Sequence, residues 1–399
     1  MRHRLTEGGA VSRRILYVQY TNPAGYPPLE HSSRILADGD WQVLFLGTGA
    51  FGADRLRFPP HPRIAVRQMP FCPAGPWQKL HYLGFILWLL TTALRWRPDW
   101  VYASDPLSCP AAVLLSYLIG VQILYHEHDS PGAAQSWFSR LLYCARRRLA
   151  HRAHLCVLPN GERAARFARD TGRSAGIACV WNCPTRDEVS ATPRPGHRDG
   201  LAIVYHGSIV PTRLPETVAL ALAQLPPSVE LRVFGYETVG HAGYAERLAK
   251  LVPDRGAAGR IELIGAIPYR RDLLERIRQS HVGLALLPTA PSDANEQHMV
   301  GASNKPFDYL ASGLAVLVPD TPEWRRTYVE PGYGLACDPG DPGSIAAALC
   351  WFLVHPKETR AMGERGRQRI LAEWNYEAQF APVLKVLKAA VRCSSFRVE

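Results

Sequence analysis

The chain has 399 residues, 47% hydrophobic and 20% charged, enough apolar material for two ordinary domain cores, which excludes global disorder. Its nine cysteines are scattered with no C-x-x-C pair, which excludes a zinc or disulfide framework and points to a reducing compartment. The net charge of +11 is uneven: residues 1–200 carry 24 Lys+Arg against 14 Asp+Glu, and residues 201–399 carry 22 against 21, so the mostly arginine excess suggests an anionic partner for the first half.

The first twenty residues lack the apolar core of a signal peptide. "RILYVQY" (14–20) reads as a strand, followed by the turn-rich "TNPAGYPP" and a helical "LEHSSRILADGD". Asp38-Gly39-Asp40 is a D-x-D that could hold a metal-bound nucleotide, but Asp-Gly between a helix and the next strand, "WQVLFLG" (41–47), is turn chemistry. "YLGFILWLLTTAL" (82–94) is 13 residues long, short of the roughly 20 that a membrane-spanning helix needs. No transmembrane helix is expected. With its neighbouring tryptophans and arginines this stretch suits either packed core or contact with a membrane interface. Strands follow at "DWVYAS" (99–104), "VQILYHEHD" (121–129) and "AHLCVLP" (153–159), separated by helical spacing. "CARRRLAHRAH" (144–154) is a basic run that is either a solvated face or an anion-binding one, and nothing in it resembles an RNA-binding module.

A polar, Pro/Gly-bearing break covers 185–200. The pattern then restarts with "LAIVYHG" (201–207), "VELRVFG" (229–235), "RIELIG" (260–265), "VGLALLP" (282–288) and "LAVLVP" (314–319). Strands alternating with helices in both halves predict an α/β protein of two Rossmann-like, doubly wound domains facing a central cleft. The boundaries are 1–190 for the first domain, 191–200 for the linker and 201–372 for the second domain. Residues 373–399 form a last amphipathic helix returning toward the first domain.

Two stretches of the second half carry chemistry. "YHGSIVPTR" (205–213) is a strand, a glycine, a small polar residue and a helix start, a pattern that cradles phosphate on Gly207 and Ser208 with Arg213 in reach; its plain alternative is a turn with a solvated arginine. "SNKPFDYLASGLAVLV" (303–318) places Lys305 and Asp308 on one face of an opening helix, with Ser303 or Asn304 as cap. That pair is either part of a nucleotide site or a surface ion pair worth under about 1 kcal/mol. Both stretches follow strands of one sheet, so they are expected at one edge, where two cations suit a diphosphate and a carboxylate suits the hydroxyls of a ribose. In the first half, His126 and His128 share a strand face, as metal ligands might, but no distant ligand set accompanies them.

"HGSIVPTR", "IGAIPYRRDLLERIRQSHVGLALLP", "SNKPFDYLASGLAVLVPDTPEWR" and "EPGYGLACDPGDPGSIAAAL" resemble the C-terminal half of the retaining glycosyltransferases of family four, which have the GT-B fold. "LRWRPDWVYASDPLSCPAAVLL", "YHEHDSP" and "WNCP" extend the resemblance through the first half. It implies that His128, Arg213 and Lys305 are the catalytic set. It also implies that Gly25, Gly207, Ser208, Ile267, Asn304 and Asp308 bind the donor, with Asp308 on the ribose and the main chain near Ile267 on the base. Val300 stands where the family's first acidic residue is expected, and the basic residue usual after Arg213 is absent, leaving Lys305 as second cation.

The function expected from this resemblance is retaining transfer of a hexosyl group from a nucleotide-diphosphate sugar to a saccharide or lipid-linked acceptor. It needs no metal, cofactor or nucleic acid, and serves polysaccharide or glycoconjugate biosynthesis in the cytoplasm, peripheral to an anionic inner membrane face. The alternatives are a nucleotide-sugar 2-epimerase on the same fold and a non-catalytic membrane-associated scaffold.

Overall fold

The computed structural model describes residues 13–132, 136–191, 200–251 and 260–395. The first twelve residues, most of the expected linker (192–199) and the last four lie outside the described residues. The chain forms two compact units, one of Met1–Ala50, Phe58–Trp181 and Gln379–Glu399, the other of Phe51–Arg57 and Asn182–Ala378. Residues after Trp181 already bond within the second unit: Asn182 N donates to Gly301 O at 2.7 Å and Ser190 N to Ala311 O at 3.0 Å.

The first unit holds a sheet of seven parallel strands in the order β3-β2-β1-β4-β5-β6-β7. They are β1 (Arg13–Val18), β2 (Trp41–Thr48), β3 (Ile64–Met69), β4 (Trp100–Ser104), β5 (Gln122–His126), β6 (Leu155–Leu158) and β7 (Ile177–Cys179). Its helices are α1 (Pro27–Asp38), α2 (Pro76–Trp96), α3 (Cys109–Leu118), α4 (Trp137–Arg152) and α5 (Gly161–Thr171). Alternate side chains of the central strands point to opposite faces. Leu16, Val18, Val101, Ala103 and Ile123 pack under Phe85 and Leu89 of α2, Leu115 of α3, Leu149 of α4 and Phe167 of α5. Tyr17, Phe45 and Tyr102 stack on the other side, Tyr17 lying 4.2 Å from Tyr102 by ring centroids. Asp38-Gly39-Asp40 is the expected turn: α1 ends at Asp38, Gly39 N donates to Ile35 O, and Asp40 has φ +68°.

The second unit holds a parallel sheet in the order β10-β9-β8-β11-β12-β13. Its strands are β8 (Leu201–Ile209), β9 (Val229–Glu237), β10 (Ile261–Leu263), β11 (Val282–Leu284), β12 (Ala315–Pro319) and β13 (Gly334–Cys337). The helices that position its site are α6 (Glu216–Ala223), α7 (Tyr244–Lys250), α8 (Arg270–Ile277) and the short helix Lys305–Ala311 of about two turns. Gly283 on β11 has no side chain because a Cβ there would run into the Tyr309 ring. The last helix, Tyr376–Ser395, begins with Tyr376 N donating to Pro184 O at 2.8 Å, and from Gln379 onward it belongs to the first unit. Among the described residues no helix is long and apolar enough to cross a membrane.

Candidate functional site

Strand β8 is central in its sheet, and Gly207, two residues before its end at Ile209 and still paired with β9, has φ +105°. A side chain is disfavoured there on backbone grounds alone. The space is also taken: a Cβ on Gly207 would sit 3.3 Å from Lys305 Nζ and 3.4 Å from its Cε. Gly207 pairs with Gly235 of β9, where a Cβ would collide with the Gly207 carbonyl oxygen. Gly235 N donates in turn to Gly265 O at 3.0 Å, which ties the loop carrying half-buried Ile267 to the same strand end.

Two cations meet near this end of β8. Lys305 is buried, its ammonium 5.4 Å from the centre of the Tyr205 ring. Arg213 Nη1 donates to Ser208 Oγ at 3.1 Å, while its buried Nε has no hydrogen-bond partner. Burial, then the Arg213 charge, push the Lys305 ammonium down to about 7, against the pull of Asp308. Two like charges held together out of water are unfavourable until an anion joins them. The structure thus brings Gly207, Ser208, Arg213 and Lys305 together at one strand end.

Asp308 is placed differently from the sequence expectation. It has no exposed surface, and its ion-pair partner is Arg270 at the start of α8: Arg270 Nη1 donates to Oδ2 at 2.9 Å and Nη2 to Oδ1 at 2.5 Å. Asn304 is the residue before the helix, but it does not cap it; its Nδ2 donates to Asp308 Oδ2 at 3.0 Å. His206 Nε2 lies 3.3 Å from the same oxygen, with its pKa pushed down to about 3, mainly by burial. Arg270 also donates from Nε to Glu188 Oε1 at 2.8 Å. Burial opposes its charge, and Asp308 and Glu188 outweigh that, holding the guanidinium well above its ordinary range. Neither Arg270 nor Glu188 stood out in the sequence, because nothing local marks a pair 82 residues apart.

In the first unit the carboxyl edge of the sheet carries the other expected residues. Gly25 closes a short 3₁₀ turn, Pro23–Gly25, whose Asn22 accepts from Ala24 N at 3.1 Å and from Gln68 Nε2 at 2.9 Å. The ring of the next residue, Tyr26, lies 5.3 Å from the His128 ring by centroids. His128 follows β5, is buried, stacks on His126 at 3.8 Å, and has neither ring nitrogen hydrogen-bonded. Burial, then the Arg163 charge, push it down to about 3, so it is neutral at ordinary pH. Asp105, which sequence reasoning missed, sits just past β4 with φ +62°. Its Oδ1 accepts from His128 N at 2.8 Å and Asp129 N at 3.2 Å, and its Oδ2 from Gln19 at 3.1 Å. Burial, then Asp129, raise its carboxyl to about 7. Beneath this loop Glu127 is buried in a bidentate pair with Arg146 (2.6 and 2.7 Å) and accepts from Tyr125 and Ser130. Among the described residues no three His, Cys, Asp or Glu are grouped to hold a metal ion.

Two parallel, doubly wound units, each with polar residues at the carboxyl ends of its central strands and one with a cation pair at a strand glycine, define a GT-B glycosyltransferase. Comparison with known proteins agrees. Residues 26–183 match the family described as "Glycosyl transferase 4-like domain", and residues 215–385 match that described as "Glycosyl transferase-like". The chain belongs to the family-four-like glycosyltransferases, a family of retaining enzymes.

Among solved structures, it is similar to HepE of Anabaena in complex with UDP and glucose, at 16% identity and TM-score 0.69, covering 94% of this chain and all of that one. Sucrose-phosphate synthase of Thermosynechococcus elongatus gives 15% identity and TM-score 0.69, covering 96% and 100%. WaaG, a glycosyltransferase involved in lipopolysaccharide biosynthesis, gives 14% and 0.61, covering 92% and 98%. At these identities the likeness establishes the fold. No curated protein sequence matches the chain significantly.

Proposed function

We propose that the chain transfers a hexosyl group from a uridine-diphosphate sugar to a saccharide or lipid-linked acceptor, with retention at the anomeric carbon. One observation carries this reading: Arg213 and Lys305 converge on Gly207 at the end of a central strand, two cations with one buried donor left over. As the anomeric C–O bond breaks, negative charge grows on the leaving diphosphate and positive charge on the sugar. Fixed Arg213 and Lys305 stabilise the first, and need no reorganisation to do so. The leaving phosphate oxygen takes the acceptor's proton as the acceptor oxygen attacks from the same side, so the reaction balances without a separate carboxylate base.

Ser208 orients Arg213, and Gly207 leaves the room that Lys305 occupies. Ile267 and Asn304 stand at the same edge for the donor. Neutral His128 and Gly25 we assign to the sugar. Asp308 we assign to positioning: both its oxygens hold Arg270 and Asn304. The choice of uridine rests on the bound UDP of the HepE structure.

A thermal-shift panel of UDP-, GDP- and ADP-sugars tests the reading. A UDP-sugar should raise the melting temperature with concentration as RT ln(1 + [L]/Kd) predicts. No shift with any of the three would overturn the donor assignment. Consumption of the donor without an acceptor would favour a nucleotide-sugar epimerase instead.

A further inference from the structure

Helix α2 has two apolar faces, and only one is used by its own fold. Tyr82, Phe85, Leu89 and Ala93 are buried against the sheet. On the opposite side Trp77, Leu80, Leu83, Leu87 and Leu94 are exposed, from 75% at Trp77 to 47% at Leu94. Steps of three, three, four and seven residues put them in one row along the helix. The start of α4 extends the row with exposed Trp137 and Leu141. Lys79 joins the two helices, its ammonium 5.4 Å from the centre of the Trp137 ring, and Tyr82 meets Phe138 edge-on at 5.6 Å. Single exposed leucines are ordinary surface; seven large apolar side chains exposed on two adjoining helices are not.

The charges beside this row have one sign. Residues 76–98 contain Lys79, Arg95 and Arg97 and no acid; α4 contains Arg140, Arg146, Arg147, Arg148 and Arg152 and no acid. Arg140, Arg147 and Arg148 are exposed. Tryptophan at one end, leucine along the row and cations beside them is the composition of a helix lying in a lipid interface, with aromatic rings at headgroup level and cations on phosphates. Spanning is not the mode, since Phe85, Leu89 and Ala93 are committed to the sheet.

We propose that the α2–α4 face docks the first unit on an anionic phospholipid bilayer. The surface chemistry favours this occupant over a protein partner, because Lys79, Arg95, Arg97, Arg140, Arg147 and Arg148 carry no acid within their own two segments, whereas Arg146 is buried on Glu127 and takes no part. A mostly apolar cleft of about 160 Å³ opens between the two helix starts, lined by Tyr20, Gln78, Lys79, Tyr82, Leu107 and Phe138. Tyr20 and Leu107 follow β1 and β4, so the cleft leads from the docked face toward the strand ends that carry His128.

Vesicle flotation of the full chain tests the inference independently of donor binding. The protein should float with vesicles of phosphatidylcholine and phosphatidylglycerol at low salt, and about tenfold less with phosphatidylcholine alone or at high salt. Leu83→Glu/Leu87→Glu, and separately Trp77→Ser, should cut flotation by about tenfold with the melting temperature unchanged, because these side chains touch solvent. Val354→Glu, equally exposed in the second unit, should float like the parent. The inference is overturned if the parent does not float with anionic vesicles, or if the α2 variants float as it does. It also falls if light scattering shows a dimer that the same variants dissolve without any vesicle binding.

Discussion

Lys305 ties donor affinity to pH. In the free protein its pKa is pushed down to about 7, by burial first and Arg213 second. A diphosphate set against both cations favours the charged lysine, so in the complex the pKa returns toward the ordinary value near 10.4. Below about 7 the lysine is charged with or without donor, and affinity is flat. Above that, binding must take up a proton, and affinity falls by up to about tenfold per pH unit. Its neighbour His206, pushed down to about 3, stays neutral throughout and adds no slope.

The assay is calorimetric titration with UDP-glucose, whose diphosphate diester does not titrate, from about pH 6 to about pH 8.5, where the fall should reach roughly 30-fold. Lys305→Arg keeps the charge at every pH and should flatten the profile. A flat profile in the parent, or an unchanged slope in the arginine variant, would refute the reasoning.

Gly207→Ala should lower stability by about 1–2 kcal/mol through its left-handed backbone and weaken UDP binding by displacing Lys305; unchanged denaturation and titration curves would contradict both. Asp308→Ala strips Arg270 of a buried partner and should destabilise the fold by about 3 kcal/mol in urea. A loss of donor affinity at unchanged stability would put Asp308 on the ligand instead. Arg146→Met leaves Glu127 buried and unpaired, and should cost about 3–5 kcal/mol; chemical denaturation checks it, and a neutral result would show that Glu127 finds another partner.

Most strands legible in the sequence were buried on both faces, such as "WQVLFLG" and "LAIVYHG"; the exception is edge strand β10, read from "RIELIG". The three overlooked, β3, β7 and β13, are all sheet edges. Edge strands are short or half solvated, so they leave no continuous apolar run: "IAVRQM" is mostly exposed and "IAC" is three residues long. The same physics divides the site. Gly207, Ser208, Arg213 and Lys305 were readable because a glycine at a strand end and a cation soon after it are local patterns. Asp105, Glu188 and Arg270 act through partners far along the chain, and no spacing announces those. Asn304, one of the two expected caps, does not cap because its backbone is already helical (φ −75°, ψ −20°), whereas a capping residue needs an extended one; its amide donates to Asp308 instead.

The central claim is that the side chains of Arg213 and Lys305 hold a diphosphate. Phosphorus-31 NMR of UDP titrated with the full chain tests it most directly. Both phosphate resonances should shift and broaden with the parent protein and return to their free positions with Arg213→Ala/Lys305→Ala. Resonances that never move with the parent, or that move equally with the double variant, would contradict it.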